Sequence, residues 1–169
     1  MAVSTSETLP IDTDQVIALT LAEHPRVAAS LLAAHTAAWQ SVDPLLLELC
    51  RLRIAQLLGN AAELAVRTPA AAAAGLDDAM IEQLPSWYSS SRYGARERAC
   101  LAFCEQSLID VANVTRDHTD AISAELGEQG LVDFVSALLV VEQRQRLRLA
   151  WAQLFDQGTH AREEVGHGA

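Results

Sequence analysis

The chain has 169 residues, half of them hydrophobic, and a formal charge of -10. This length is sufficient for one domain with a buried core, and the many Ala and Leu residues favour a helical protein. All twelve basic residues are Arg, so Schiff-base chemistry and phosphate loops that depend on Lys are excluded. The acidic balance and the scattered Arg residues argue against nucleic acid and against an anionic membrane surface as partners.

The composition also bears on location and redox state. Residues 1–15 contain neither a basic opening nor an apolar run, so a signal peptide is not expected. No apolar stretch approaches the roughly 18 residues that span a bilayer. The cysteines, Cys50, Cys100 and Cys104, lack the spacing of a disulfide framework. We therefore expect a cytoplasmic protein whose cysteines are small core residues.

Caps, prolines and glycines divide the chain into helices. Pro25 and Pro44 suit the first turn of a helix, where a missing N–H is tolerated, and Gly59 suits a helix end. No segment alternates with a period of two residues, so no sheet is predicted. The predicted helices are a short one capped by Asp12 or Thr13 and reaching about Ala22, then 25–39, 44–58, 60–75 (with a restart at Pro69 as an alternative), 78–84, 95 to about 114, 118–126 and 129 to about 155.

This pattern predicts an all-α bundle. We expect flexible residues 1–11, one helical domain over 12–155 and a polar tail over 156–169. Two segments are apolar nearly all round, which is typical of a core or an oligomer interface, and they are predicted to be the central helices of the bundle. They are residues 45–58, with Leu45, Leu49 and Leu52, and residues 131–155, with Leu131, Val135, Leu138, Leu139 and Leu149.

Carboxylates interrupt both apolar segments, at Glu48 and Glu142. A carboxylate that points inward needs a positive partner or a proton. One explanation is local pairing with Arg51 and Arg146, at helix-neighbour spacing. The other explanation is that Glu48 is a general acid or base in an apolar cleft.

The histidines do not indicate a metal site. His35 and His118 lie in different predicted helices without metal-ligand company, and His160 and His167 lie in the polar tail. We therefore expect structural or solvated histidines, no bound metal and no cofactor.

Three stretches resemble the carboxymuconolactone decarboxylase-like superfamily, which includes alkylhydroperoxidase D. ELCRLRIAQLLGNAAELAVRTPAAAAAGL, which begins at Glu48, is similar to the family's E-L-V-R-L-R-V-A-Q-L-N-G-C-x-x-C-x-x-x-H and its Ala-rich helix. WYSSSRYGARERACLAFCE and EQRQRLRLAW resemble two further family motifs, and LAEHPRVAASLLA fits the leader helix. The resemblance covers roughly residues 20–155. It implies an AhpD-like helical bundle that assembles as a dimer, trimer or hexamer.

The resemblance also assigns the family's catalytic positions, residue by residue. The family's glutamate falls on Glu48, which is retained. Its two cysteines fall on Asn60 and Glu63, and its histidine falls on Arg67. Asn and Glu cannot replace a redox sulfur, and Arg stays protonated, so the dithiol peroxidase site is expected to be lost. We predict instead a hydrogen-bonded Glu48–Arg67–Glu63 cluster with Asn60 at its edge.

Three functions remain open. The first is a non-redox homo-oligomer that binds a partner or a small molecule such as a carboxylate. The second is a cofactor-free decarboxylase or lactone enzyme, with Glu48 as general acid/base and Arg67 as anion clamp. The third is residual peroxidase activity through the remaining cysteines. A closed, salt-bridged pocket around Glu48 favours the first function, and an open cavity that contains Glu48 and Arg67 favours the second.

Overall fold

Seven α-helices make up the part of the chain that the computed structural model describes, residues 22 and 24–165, with side chains described as far as Trp151. In chain order they are α1 (Pro25–Ser41), α2 (Pro44–Leu58), α3 (Ala61–Ala65), α4 (Pro69–Ala73), α5 (Asp78–Gln83), α6 (Ala95–Asp110) and α7 (Arg116–Val165), with 3-10 turns at Leu84–Ser86 and Val111–Asn113. No β-strand occurs in this part, which confirms the predicted all-α class. The predicted flexible segment 1–11 and the caps Asp12 and Thr13 lie outside the described residues.

The predicted helix ends are confirmed where proline and glycine set them. Pro25 and Pro44 occupy the first turns of α1 and α2, and the Asp43 carboxylate accepts the N–H of Leu45 at 2.8 Å. Gly59 follows α2 in the left-handed conformation, with φ of 66°, and its N–H bonds to carbonyls of the last turn. This conformation strains any residue that has a Cβ.

Helix α2 forms the centre of the bundle, as predicted. Its residues 46–52 are all buried, and it packs against both α6 and α7. Helix α7 contributes Phe134 and Leu138 to the same core, while α1 packs on α7. Of the two places predicted for these apolar residues, a core or an oligomer interface, Leu139 does not lie in the core: its side chain is 53% exposed, at the open edge of the contact between α1 and α7.

Helix α7 is interrupted at Gly127, where φ is 78° and ψ is 170°. This confirms the helix end predicted at this glycine, although the next helix follows without a loop. At the start of α7, Nδ1 of His118 accepts the N–H of Thr115 at 3.2 Å, which is a structural role as expected. The backbone of α7 continues to Val165, beyond the end predicted near Phe155.

A break between α3 and α4 shapes the candidate site. The chain leaves the helix at Val66 and restarts at Pro69, so the predicted restart is confirmed and a continuous helix over 60–75 is not formed. Val66 and Thr68 adopt extended conformations. The carbonyl of Val66 and the N–H of Thr68 therefore lie outside the helical ladder and bond to side chains of α2.

Candidate functional site

The carboxylate of Glu48 is held by Arg51, one turn further along α2. Nε of Arg51 donates to Oε2 of Glu48 and Nη2 donates to Oε1, both at 2.8 Å. The N–H of Thr68 also donates to Oε1, at 3.2 Å. Glu48 is 0% exposed and Arg51 is 4% exposed, so the predicted local pair is confirmed and lies in the interior. This bidentate geometry is among the stronger arrangements of an Arg–carboxylate pair.

The guanidinium of Arg51 also binds the segment around α3. Nη1 donates to Oε2 and to the backbone carbonyl of Glu63, each at 2.7 Å. Nη2 makes a second bond, to the carbonyl of Val66 at 2.8 Å. A guanidinium has five N–H donors, and Arg51 makes five bonds: two to Glu48, two to Glu63 and one to Val66. Its donor capacity is therefore fully used.

A second arginine reaches Glu63 from α7. Nη1 of Arg148 donates to Oε1 of Glu63 at 2.8 Å. Burial alone would raise the pKa of Glu63, but the charge of Arg51 and the hydrogen bonds from Arg148 and Arg51 lower it, and the charge of Arg144 adds to this effect. Burial would lower the pKa of Arg51, yet the two carboxylates raise it. We define Glu48, Arg51, Glu63 and Arg148 as the ion cluster, which joins α2, α3 and α7.

Two buried amides flank the ion cluster. Asn60 is 2% exposed, and its Oδ1 accepts the N–H of Glu63 at 3.3 Å, which caps the start of α3. Gln145 is 1% exposed, and its Nε2 donates to the carbonyl of Arg51 at 2.8 Å. Nδ2 of Asn60 and Oε1 of Gln145 form no hydrogen bond with the described part of the protein. Nδ2 of Asn60 can therefore donate to a further polar partner, and Oε1 of Gln145 can accept from one.

The predicted position of Arg67 in this cluster is wrong. Arg67 is exposed, and its Nη1 donates to the carbonyls of Leu64 and Val66 at 2.5 and 2.8 Å. The predicted pair with Glu63 required both residues to share one helical face. Because α3 ends at Ala65, Arg67 does not continue that face, and Arg51 occupies the bridging place between the carboxylates. The catalytic roles predicted for Glu48 and Arg67 stay predictions.

Two further polar predictions concern helix surfaces. Nε of Arg146 donates to Oε1 of Glu142 at 2.8 Å, so the second local pair is confirmed. Nε2 of His35 accepts the Nε1–H of Trp39 at 3.0 Å and also contacts Nη1 of Arg144. His35 thus links α1 to α7, which is the structural role expected of it.

The three cysteines are buried and free, as expected of core residues. Their arrangement was not predicted. Cys50 of α2 lies against Cys104 of α6, and the Sγ of Cys104 is 3.8 Å from the carbonyl oxygen of Cys50. A hydrogen bond with Cys104, together with burial, raises the pKa of Cys50. Burial raises the pKa of Cys100 to about 12. Thiols with such pKa values are weak nucleophiles at neutral pH, since the thiolate is the reactive form.

Of the two arginines in the ion cluster, one had a signal in the sequence and the other had none. Arg51 had a signal: it stands on a helix that is apolar nearly all round, three residues after an inward carboxylate, in the E-L-x-R part of the family motif. Arg148 had none, because it is 85 residues from Glu63 in sequence. In this geometry both oxygens of Glu48 accept hydrogen bonds, from Arg51 and from the N–H of Thr68.

Comparisons with known proteins agree with this fold. Residues 25–106 match the model of the carboxymuconolactone decarboxylase family. The structure is similar to the crystal structure of a protein of unknown function from Agrobacterium tumefaciens, for which a role as antioxidant defence protein AhpD has been suggested. The TM-score is 0.68 at 18% identity, over 78% of this chain and 91% of that one. No curated protein matches the sequence significantly.

The helical bundle and the family match define the class of the protein. The chain belongs to the carboxymuconolactone decarboxylase-like superfamily, whose AhpD-like fold it has. Within residues 24–165, no helix combines the length and hydropathy needed to cross a bilayer.

Proposed function

We propose that this chain is a non-redox member of the superfamily that acts as a homo-oligomer by binding a small molecule or a partner. The observation that carries the proposal is the full use of the Arg51 donors on Glu48, Glu63 and the carbonyl of Val66. Those carboxylates occupy two of the positions that the family motif gives to its reactive groups. An interior ion cluster with satisfied hydrogen bonds holds its geometry. It is poorly suited to acid/base catalysis, because any proton transfer would break a buried ion pair.

The same geometry weighs against the two enzyme alternatives. An acid/base mechanism with Glu48 needs a carboxylate that substrate can reach, and this one is 0% exposed. The anion clamp assigned to Arg67 lies on the surface, bonded to backbone carbonyls. A residual peroxidase needs a thiolate, and the pKa values of Cys50 and Cys100 are raised by their surroundings.

Exposed apolar residues support the homo-oligomer. Val27 and Leu32 of α1 and Val132 of α7 each expose about half of their surface or more. Exposed apolar side chains of this size can contribute to contact surfaces. Native mass spectrometry should show a species heavier than the monomer, and Val132→Glu should lower its mass. A monomer at all concentrations would contradict this part of the proposal.

A cytoplasmic location belongs to the same proposal. It is supported by the three free thiols, which reducing compartments maintain. Fractionation of cells that express the chain should place it with the cytoplasmic markers, and recovery with exported proteins would contradict this location.

The test of the non-redox assignment is a hydroperoxide assay with a dithiol reductant. We expect the wild-type chain to consume peroxide no faster than the variant with Cys50→Ser, Cys100→Ser and Cys104→Ser. Glu48→Gln should likewise leave the background rate on carboxylated lactones unchanged. Peroxide turnover that disappears with the cysteines, or lactone turnover that disappears with Glu48, would overturn the proposal.

A further inference from the structure

A groove of about 550 Å³ lies between α1 and α7. Leu31 and Ala34 of α1 form one wall, and Leu139 and Leu147 of α7 form the other. Val27 lies one helical turn before Leu31 and therefore on the same side of α1. Val27 is 51% exposed, Leu31 37% and Leu139 53%, so the surface is open to a partner. We define the groove together with Val27 as the α1 face.

The histidine and the charged side chains of the groove lining are already engaged within the chain. Nε2 of His35 accepts the Nε1–H of Trp39 at 3.0 Å and also contacts Nη1 of Arg144. Arg146 is paired with Glu142 at 2.8 Å. What the α1 face offers to an occupant is therefore apolar area, and binding there depends on shape and on hydrophobic burial.

Helix α1 is poorly covered for its composition. Residues 27–42 contain no Asp, Glu, Lys or Arg, although charged residues make up 20% of the chain. In the described part of the chain α1 packs chiefly on α7, and among its own residues only Ala38 is buried. A helix without a charged face is typically buried on more than one side. The remaining surface of α1 is thus suited to contact a partner.

A second copy of the chain fits this surface for an electrostatic reason. In a two-fold contact the same surface lies on both sides, so charges on it meet charges of the same sign near the axis. The formal charge of -10 also makes two copies repel one another wherever acidic surfaces approach. An uncharged helix avoids the first penalty and reduces the second. A partner of different sequence could pair its charges across the contact, so the absence of charge from α1 favours self-association.

We propose that the α1 face is the contact between two copies of this chain, in which α1 of each copy lies along the groove of the other. Each copy then supplies one helix and one groove, which is an isologous contact. An apolar helix in a groove inserts side chains one turn apart between those of its neighbours. Leu31 of one copy is thereby placed near Leu139 of the other. This inference rests on the proposed homo-oligomer and adds to it the contact surface.

Cross-linking between copies tests the position of the contact. Leu31→Cys chains are mixed with nitrogen-15-labelled Leu139→Cys chains, left to exchange subunits and treated with a short bismaleimide, and mass spectrometry identifies products that join a light chain to a heavy one. The wild-type chain, whose thiols are buried, gives the background. We expect Leu31→Cys to cross-link to Leu139→Cys but not to Val111→Cys, at a residue that is 72% exposed outside the α1 face. Equal yields from the two mixtures would overturn the proposal.

Charged variants measure how much the α1 face contributes to association. In sedimentation velocity experiments, Leu31→Glu and Leu139→Glu should each raise the dissociation constant of the oligomer by about tenfold or more, because the contact would bury a carboxylate without a partner. Val111→Glu is the matched control and should leave that constant unchanged. Should Leu31→Glu fail to fold, Val27→Glu provides the same test at a more exposed position. An oligomer that neither Leu139→Glu nor Val27→Glu weakens would overturn the proposal.

The same measurements separate this inference from the proposed function. An oligomer that persists in all of these variants associates through another surface, so the homo-oligomer would stand and the inference would be wrong. A wild-type monomer at all concentrations would contradict both, but not the non-redox assignment, which depends on the hydroperoxide and lactone assays.

Other occupants of the groove give different results. If residues 1–21 of the same chain filled it, Leu139→Glu would lower the urea midpoint of a monomer and no cross-link between copies would form. If a small molecule filled it, native mass spectrometry would show a mass above that of the bare chain, and Leu139→Glu would remove the excess. Either result would overturn the inference.

Discussion

Replacement of Arg51 by Met removes the guanidinium that connects both carboxylates of the ion cluster and keeps an unbranched apolar side chain. The five hydrogen bonds of Arg51 are lost. Glu63 retains Arg148, whereas Glu48 retains only the 3.2 Å bond from the N–H of Thr68. Glu48 is thus left as a buried charge without a cationic partner. Breaking a buried pair from one side costs about 3–5 kcal/mol, so we expect Arg51→Met to lower the free energy of unfolding by about 4 kcal/mol.

Urea unfolding followed by far-ultraviolet circular dichroism measures this loss. Titrations at several protein concentrations separate the stability of the fold from that of an oligomer. Arg67→Met is the matched control, because Arg67 is exposed and bonds only to backbone carbonyls. It should change the free energy of unfolding by no more than about 0.5 kcal/mol. The slope of the free energy of unfolding against urea concentration should be similar in all variants, so that differences in midpoint report differences in stability.

A double variant distinguishes loss of a charge partner from loss of packing. Glu48→Gln placed on Arg51→Met removes the unpaired carboxylate, so the double variant should be more stable than Arg51→Met alone. Equal losses for Arg51→Met and Arg67→Met would refute the reasoning, and so would a double variant less stable than the single one.

Three further predictions concern acid stability, the end of α2 and the thiols. The pKa of Glu63 is lowered in the folded chain from its ordinary value of 4.5, so its contribution to stability is present above that value and is lost as pH falls through the folded pKa. Glu63→Gln should therefore flatten the acid side of a plot of urea midpoint against pH, and an unchanged slope would contradict this. Gly59→Ala should cost about 1 kcal/mol in thermal unfolding, since φ is 66° and no atom lies within 4 Å of an added Cβ. Gly59→Asn should cost less, because Asn tolerates the left-handed region, and the reverse order would contradict the assigned backbone. Iodoacetamide at mildly alkaline pH should spare Cys50, Cys100 and Cys104 in the folded chain and modify all three in urea, because all three thiols are buried and their surroundings raise the pKa of Cys50 and of Cys100. Rapid labelling without urea, counted by mass spectrometry, would show that the thiols are accessible.

The helix boundaries were predictable because their causes are local. Pro25 and Pro44 fix a first turn, while Gly59 and Gly127 adopt positive φ where a helix ends. These signals act within a few residues and depend little on the rest of the fold. The restart of the helix at Thr68-Pro69 also follows from such a local signal.

The candidate site was less predictable because it depends on tertiary contacts. Spacing correctly indicated that Glu48 is buried and that Arg51 is its neighbour, but it assigned Arg67 as the bridge between the carboxylates. That assignment assumed a continuous helix, and the break after Ala65 removed its geometric basis. The approach of Arg148 from α7 had no counterpart in local sequence.

The exposure of Leu139 has a similar explanation. A run of apolar residues predicts burial, but it does not indicate which side of a helix other helices cover. In α7, Phe134 and Leu138 face the core, whereas Leu139 borders the groove beside α1. The apolar residues of this helix are therefore shared between the core and an exposed surface beside α1.

The central claim is that Arg51, and not Arg67, joins Glu48 and Glu63 in the interior of the bundle. Nitrogen-15 NMR of the arginine side chains, assigned with Arg51→Met and Arg67→Met, tests it most directly. We predict that the Nε–H of Arg51 exchanges slowly with water and that its guanidinium rotates slowly, because all five of its donors are bonded. The Nε–H of Arg67 should exchange rapidly. Fast exchange at Arg51, or slow exchange at Arg67 alone, would contradict the ion cluster and the function proposed from it.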